Sequence, residues 1–362
     1  MKNLKLVVPM LITISLLGIC RGVTGDSLAV GSENVRYPSP ASPVAVSAYI
    51  SSPLESAESK SDLVENPGPL QSSPPPVWYE QPLPNDPFLK EQWALHLIQA
   101  PMLWQPAAEE REIMIAVLDT GIDRNHEDLR GKVAAEVNFT DSPTCHDIHG
   151  HGTHVAGIVA ASSNNEIGVA GMAPASHLMN IKVADDKGQC QARAVARGIV
   201  WAVDNGASVI NISLELKEPS SELENAIDYA WSRGAVITAA AGNDGGELPV
   251  YPAYYQNCIA VAATTQDDAL APLSNHGDWV DLAAPGFRIY STLPDDSYGY
   301  KSGTSFAAGY VSGMAAMLFV MLSDSNGNGR LNDEVREAIE AGCQEIGPIG
   351  VSHGRIDARE LS

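Results

Sequence analysis

The chain has 362 residues, of which 44% are hydrophobic, and its 44 acidic and 22 basic residues give a formal net charge of −22. This length and composition are typical of a globular protein with one large domain or two modest ones. The acidic balance argues against a nucleic-acid partner, because binding to phosphates needs clustered Lys and Arg.

The first 25 residues are predicted to be an export signal. Residues 1–19 carry Lys2 and Lys5 before an uncharged apolar run that is too short for a comfortable membrane span. An uncleaved N-terminal anchor stays an alternative. We therefore expect a secreted, extracellular protein.

A second route to a membrane would run through Cys20. Residues 17–20 read LGIC, which partly resembles a bacterial lipoprotein signal, although Ile19 stands where a small residue is expected. Cleavage near Gly22 or Gly25 is the alternative. Attachment to a membrane, as a tether at the cell surface, is expected only if Cys20 carries a lipid.

Residues 26–84 differ in composition from the rest of the chain. Pro and Ser dominate, as in the run SSPPP at residues 72–76, and no apolar periodicity persists. Such a segment cannot bury enough apolar surface to fold alone. It is interpreted as a disordered pro-segment or a tether, and the folded domain is expected to span residues 85–362.

From residue 85 onward, strand-like and helix-like patterns alternate. Strands are predicted at residues 113–118, 176–183, 207–213, 235–241 and 258–263, and helices at residues 92–98, 154–161, 192–204, 220–233, 306–322 and 333–340. This alternation predicts a three-layer α/β fold with a mostly parallel central sheet and helices on both faces. The helix at 306–322 is almost wholly apolar, so we expect it to be central and buried.

Ser305 lies between small residues at the start of that apolar helix. Backbone N–H groups and the positive end of the helix dipole gather at such a position, where they can stabilise an oxyanion beside a nucleophile. The same stretch is also compatible with an ordinary turn and helix cap. Ser305 alone therefore identifies nothing.

Three further polar residues follow predicted strands or begin predicted helices. Asp119 follows the strand at 113–118, His151 lies among glycines at a predicted helix start, and Asn243 follows the strand at 235–241. The spacing of the three His in residues 149–154 does not fit a zinc helix. Each of these residues could also belong to a turn, but Asp, His and Ser occur in the order that is known for subtilisin.

At these residues the chain resembles the subtilisin-like serine proteases, or subtilases. The motifs are VLDTGI at 117–122, HGTHVAG at 151–157, AGN at 241–243 and GTSFAA at 303–308. Residues 85–87 and 98–101 look closest to the thermitase-like branch. Lesser matches at residues 168–174, 282–286 and 354–358 extend the resemblance over residues 85–362.

The resemblance implies a serine endopeptidase with an Asp-His-Ser triad and no catalytic cofactor. Ser305 would be the nucleophile, His151 its general base, Asp119 the group that orients His151, and Asn243 a donor to the oxyanion. Proteins or peptides would be the substrates, and we expect a monomer. A dedicated maturation protease with a narrow substrate and a catalytically silent binding protein of the same fold are the alternatives.

In this family a substrate peptide binds as an added strand between two edges. The residues to which the resemblance assigns these edges and the walls of the P1 pocket are Gly188, Cys190, Asn211, Ser213, Leu214, Glu215, Ala240, Ala241 and Gly242. Glu215 departs from the family pattern, which has Gly there. It would narrow the pocket or favour a basic P1 residue, unless its carboxylate turns out to solvent. Gly309-Tyr310 also depart, since relatives carry Pro-His.

The resemblance also implies a structural Ca²⁺ site. Its candidate ligands are Asp86, Asp128, Ser163, Asn165, Ile167 and Val169, which can supply carboxylate, amide and carbonyl oxygens. The run DSNGNG at 324–329 looks like the start of another calcium loop. Val335 stands where that pattern needs Glu, so this run is interpreted as a turn.

Four cysteines remain after Cys20, an even number in an exported chain. A Cys145–Cys190 disulfide would brace the cleft, because Cys190 lies on the expected substrate edge. Cys258 and Cys343 would then be left as the second pair.

Overall fold

The computed structural model describes residues 48–49, 83–104 and 112–361. The predicted signal at 1–25 and most of the segment at 26–84 lie outside that part. The strands are β1 (Ala48–Tyr49), β2 (Met114–Asp119), β3 (Val133–Asn138), β4 (His177–Lys182), β5 (Gln189–Cys190), β6 (Val209–Ile212), β7 (Val236–Ala240), β8 (Ile259–Thr264), β9 (Leu282–Pro285), β10 (Ile289–Leu293), β11 (Ser297–Lys301), β12 (Cys343–Gln344) and β13 (Arg355–Ile356).

Six α-helices connect or follow these strands within the described residues. They are α1 (Trp93–Leu97), α2 (His151–Ala160), α3 (Ala192–Asp204), α4 (Ser221–Ser232), α5 (Thr304–Met321) and α6 (Asn332–Ala341). Short 3₁₀ turns lie at Leu89–Glu91, Ala100–Leu103 and Ala358–Leu361.

The central sheet has the strand order β12-β13-β9-β8-β7-β6-β2-β4-β3. Its pairs are parallel except β12 with β13. Side chains on β2 alternate between the two faces: Ile115 and Val117 pack in the core that contains α2 and α5, and Ala116 and Leu118 pack in the core that contains α3 and α4. The predicted three-layer α/β fold with a mostly parallel sheet is confirmed.

The carboxyl ends of β2, β6 and β7 meet at one edge of this sheet, as parallel strands require. Helix α5 begins at the same edge and runs through the centre of the domain, where almost all of its side chains are buried. It is long and apolar enough to cross a membrane, but its burial is that of a core helix. The helix predicted at 306–322 corresponds to α5, which begins two residues earlier and ends one residue earlier.

Helices α2 and α5 pack closely where glycines remove the side chains. A Cβ on Gly309 would lie 3.2 Å from a methyl carbon of Ile158, and one on Gly313 would lie 3.3 Å from the Val159 carbonyl oxygen and 2.5 Å from Cβ of Met172, in the loop after α2. The Gly309 that departs from the family pattern therefore lies at a helix contact. Tyr310 beside it is buried.

Two smaller pairings lie outside the central sheet. The hairpin β10–β11 is antiparallel, and its Ser291 and Thr292 hydroxyls donate to backbone carbonyls of α2. Strand β1 pairs antiparallel with β5, with Ala48 opposite Cys190 and Tyr49 opposite Gln189. A part of the Pro/Ser-rich segment thus forms a strand, which its composition did not predict.

The expected disulfides are wrong for this structure, which holds all four described cysteines as free thiols. Cys258 lies in the core on the α3–α4 face of the sheet, whereas Cys343 packs against the core on the opposite face and donates to the Ile339 carbonyl. Cys190 is also buried in the core on the α3–α4 face of the sheet, and Cys145 lies in the loop after β3. Burial raises the pKa of each of these thiols, that of Cys190 to about 12.

Candidate active site

Asp119 and His151 form a buried pair at the carboxyl edge of the sheet. Asp119 is the last residue of β2 and His151 the first of α2, and each is about 1% exposed. Nδ1 of His151 lies 2.8 Å from Oδ1 and 3.0 Å from Oδ2 of Asp119. A carboxylate in this position fixes the ring so that Nδ1 carries a proton and Nε2 can accept one.

The helix can approach Asp119 so closely because its second residue is Gly152. A Cβ there would clash with the Gly121 carbonyl and would lie 3.0 Å from Oδ1 of Asp119. The chain enters the helix through Gly150, whose φ of 81° is in the left-handed region that favours glycine. The glycines of the HGHG run are thus needed for the pairing of Asp119 with His151.

Asp147, which sequence reasoning missed, supports this pair from behind. Its fully buried carboxylate accepts four hydrogen bonds, from Oγ1 of Thr120 at 2.9 Å, from N of Gly150 at 2.8 Å, and from N and Oγ1 of Thr153 at 2.8 and 2.7 Å. It therefore joins the segment after β2 to the first turn of α2. An Asp four residues before the helix, with Thr in its first turn, is the signal that could have identified it.

Ser305 is the second residue of α5, so its side chain lies at the N-terminus of a buried helix. Its hydroxyl donates to the Ser213 carbonyl at 3.2 Å, while the Ser213 hydroxyl donates to the Ser305 carbonyl at 3.0 Å. The His151 ring lies 5.4 Å from the ring of Phe306, the next residue. A hydroxyl can rotate to another acceptor, and hydrogen bonds between catalytic groups often form fully only with substrate present.

Asn243 is held against the start of α5 by Thr304. Its Oδ1 accepts from N of Thr304 at 2.8 Å and from Oγ1 of Thr304 at 3.2 Å, and Oγ1 also accepts from N of Gly242 at 3.1 Å. With Oδ1 engaged in this way, the amide NH₂ is the part of the side chain that can donate. The loop is held on its other side by Asn275, whose Oδ1 accepts from N of Asp244 at 3.0 Å.

The residues assigned to substrate binding come together at this same edge. Ser213, Leu214 and Glu215 follow β6, and Ala240, Ala241 and Gly242 end or follow the neighbouring strand β7. Gly188 immediately precedes β5, and Cys190 lies in β5, the strand that pairs with β1. Asn211 is fully buried within β6, where its amide donates to Oγ of Ser213 at 2.7 Å and accepts from Oγ of Ser312 at 2.9 Å.

Glu215 does not turn out to solvent. Its side chain is 9% exposed, one carboxylate oxygen accepts from N of Asn243 at 3.3 Å, and the other lies 2.9 Å from Nζ of Lys217. A Cβ on Gly242 would be only 2.6 Å from this carboxylate. Glu215 therefore lies in the space between the two segments that were assigned to the P1 pocket.

The two other His of the HGHGTH run lie in different environments. His154 is fully buried, burial lowers its pKa to about 3, and its Nε2 bonds to the Gly299 carbonyl at 3.1 Å. Burial also lowers the pKa of His149, whose ring lies 6.3 Å from that of His151. Both rings are neutral at physiological pH, and neither takes the place of His151 beside Asp119.

The residues expected to hold Ca²⁺ are gathered in one place. Asp86 accepts from N of Asn164 at 2.8 Å, Asp128 accepts from N of Val169 at 2.8 Å, and the Asn165 amide donates to Asp128 at 3.1 Å. Ser163 and Ile167 lie in the same loop. Burial raises the pKa of both carboxyl groups, as is typical where anionic oxygens lack a countercharge. The carboxylate, amide and carbonyl oxygens of these residues are ligands that fit Ca²⁺. Among the described residues, no group of three or more His, Cys, Asp or Glu side chains is placed to hold a metal.

Comparison with known proteins agrees with this geometry. Residues 110–339 match the subtilase family. Thermitase from Thermoactinomyces vulgaris is 44% identical over 279 residues, which are 76% of this chain and 97% of thermitase. A thermophilic serine proteinase from Bacillus sp. (strain AK1) is 45% identical over 67% of this chain and 60% of its own length. Subtilisin Savinase from Lederbergia lenta is 41% identical over 62% of this chain and 83% of its own.

We expect Asp147→Asn to lower activity because it disturbs the placement of Asp119 and His151, not because Asp147 takes part in the reaction. An amide NH₂ would face at least one N–H that the carboxylate now accepts, which should lower the free energy of unfolding by about 1–3 kcal/mol and reduce kcat more than it changes KM. Asp141→Asn, at an exposed position of the same loop, is the matched control. Denaturant unfolding and peptide kinetics measure both effects, and equal behaviour of the two variants would contradict the role given to Asp147.

Proposed function

The chain belongs to the subtilase family and is a subtilisin-like serine endopeptidase; we propose that it is secreted and cleaves peptide bonds through Asp119, His151 and Ser305. The thermitase-like assignment is confirmed by the identity to thermitase. The observation that carries the proposed residue roles is the buried Asp119–His151 pair at the same sheet edge as the N-terminus of α5.

In the proposed mechanism, Oγ of Ser305 attacks the scissile carbonyl carbon while Nε2 of His151 takes the hydroxyl proton. The oxyanion of the tetrahedral intermediate accepts hydrogen bonds from the Asn243 amide and from N of Ser305. His151 then gives its proton to the leaving amine, which leaves an acyl group on Ser305. Water, activated by His151, hydrolyses this acyl-enzyme, and Asp119 stabilises the charged ring in both steps.

The substrate would lie as an extended peptide between two edges of the cleft. One edge is formed by Gly188 and Cys190, the other by Ser213, Leu214 and Glu215. The pairing of β1 with β5 supports this proposal, because it is an antiparallel backbone pairing on that first edge. Ala240, Ala241 and Gly242 would complete the wall of the P1 pocket.

We further propose that residues 1–25 are removed on export and that residues 26–84 form a pro-segment. Support comes from β1, which lies within this segment and pairs with the strand a substrate would use. The folded part must include Asn85 and Asp86, because Asn85 accepts from N of Glu166 and Asp86 from N of Asn164. The domain that remains would be residues 85–362.

The calcium proposal assigns Asp86, Asp128 and Asn165 as side-chain ligands. Carbonyls of the loop at residues 163–169 would complete the oxygen shell. When bound, the cation would supply the countercharge for two buried carboxylates. It would also fasten the segment that precedes α1 to the loop after α2, so its effect would be on stability rather than on the reaction.

Ser305→Ala should abolish labelling by a fluorophosphonate probe and lower kcat by about 10⁶-fold, because the nucleophile is lost. Asn243→Ala should keep labelling measurable but lower kcat by about 10²–10³-fold, the value known for such a donor in subtilisin. Ser221→Ala, on the exposed start of α4, is the control. A wild-type protein that neither reacts with the probe nor cleaves peptides would instead favour a silent binding protein.

The mature N-terminus of the exported protein should lie between residues 50 and 85. Its release should need the active site, so exported Ser305→Ala should retain the longer chain. Intact mass and N-terminal sequencing measure this. A start upstream of residue 48 in both proteins would show a tether instead, and a lipid on Cys20 would appear as added mass.

Removal of Ca²⁺ with EGTA should lower Tm by about 5–10 °C, if the ion is present at about 100 times its Kd beforehand. The measurement is made in Ser305→Ala protein, which cannot digest itself. Asp128→Asn should start at the low Tm and respond no further to EGTA. Asp324→Asn, in the exposed DSNGNG run, should respond as the parent does, and an unchanged Tm in the parent would refute the site.

A further inference from the structure

Lys217 and Asp244 are charged residues beside the P1 pocket that the proposed mechanism does not use. Nζ of Lys217 lies 2.9 Å from the buried carboxylate of Glu215 and also bonds to Oδ2 of Asp244. The side chains of Lys217 and Asp244 are 54% and 62% exposed. The three groups thus form a chain of alternating charge that leads from the pocket to solvent.

The backbone fixes this arrangement. Leu216 and Tyr251 exchange two backbone hydrogen bonds, of 2.7 and 2.9 Å, so the chain is extended at Leu216. Alternate residues of an extended chain lie on the same side. The Leu216 side chain is fully buried on one side, and Glu215 and Lys217 lie together on the other.

The charges of Glu215, Lys217 and Asp244 do not cancel. Two carboxylates share one ammonium, which leaves one net negative charge beside the pocket. Partial burial opposes a charge on Lys217, but the hydrogen bonds that it donates to the two carboxylates, and their negative charge, outweigh this effect and raise its pKa, so Lys217 stays cationic. Glu215 is mostly withdrawn from water, whereas Lys217 is half exposed and bonds to two acceptors, one buried and one exposed.

We propose that Lys217 is an internal counter-cation of Glu215 that the side chain of a basic P1 residue replaces, so that Glu215, Lys217 and Asp244 together select Arg at P1. This rests on the proposed proteolytic function. A displaced Lys217 would keep its bond to Asp244, at the exposed end of the chain. Arg would be preferred to Lys at P1, because its planar guanidinium can donate to both carboxylate oxygens at once.

Removal of the two outer charges should have opposite effects. Without Lys217, the Glu215 carboxylate loses its competitor cation and attracts a basic P1 side chain more strongly. Without the charge of Asp244, Lys217 pairs with Glu215 alone and competes more strongly with a basic P1 side chain for the Glu215 carboxylate. A merely structural role would shift both variants in the same direction, so this opposition distinguishes selection from loss of packing.

The test measures kcat/KM on peptides that differ only in Arg, Lys or Leu at P1. Wild type should prefer Arg to Leu; Lys217→Met should raise the Arg/Leu ratio by about fivefold, the size of one half-exposed ion pair, and Asp244→Asn should lower it. Glu215→Gln should remove the preference. Lys90→Met, an exposed lysine in the 3₁₀ turn at Leu89–Glu91, controls for the change in net charge.

Inhibition by benzamidine gives a second readout that does not depend on the peptide. Its Ki should fall in Lys217→Met and rise in Glu215→Gln. An Arg/Leu ratio that stays the same in Lys217→Met as in Lys90→Met, or that moves in the same direction in Lys217→Met and Asp244→Asn, would overturn this inference while proteolysis stands. Absence of cleavage of every peptide by wild type would overturn the proposed function, and the inference with it.

Discussion

The close packing of α2 on α5 is the constraint on which the rest of this structure depends. Both helices begin at the carboxyl edge of the sheet, one with His151 and the other with Ser305 as its second residue. These two helix starts can lie side by side only if the helix axes come close together. Gly309 and Gly313 make that approach possible, since a Cβ at Gly309 would press on Ile158 and one at Gly313 would press on the Val159 carbonyl.

A chain with a net charge of −22 also has to bury several carboxylates at and near the site. For Asp119, Asp128 and Asp147 it does so with backbone N–H groups. Asp147 and Asp128 are fully buried and accept from main-chain donors, and Asp119 accepts from N of Thr120 as well as from His151. Because these donors belong to helix starts and tight loops, the same contacts that satisfy the carboxylates also fix the loops around the cleft.

The sequence predicted the buried parts of this fold well. The helix at 192–204 agrees with α3 at both ends, since its amphipathic pattern and its stop are both local. Strand β3 was missed, because it lies at the sheet edge and its half-exposed residues lack an apolar run. The triad candidates were found through motif order, whereas the Glu215–Lys217 contact depends on pairing with Tyr251, which is distant in sequence. The Cys258–Cys343 pairing was wrong because cysteine counting ignores which face of the sheet each thiol occupies.

The burial of α5 has a consequence for a population of molecules that can digest one another. The helix that carries Ser305 is also the middle of the hydrophobic core, so it cannot loosen without loss of the packing that holds the whole domain. A molecule that begins to unfold would therefore lose the geometry of the proposed nucleophile at the moment when its own chain becomes a substrate. Partly unfolded molecules would then be cleaved by intact ones but could not cleave them in turn. The molecules that survive would be the correctly folded ones.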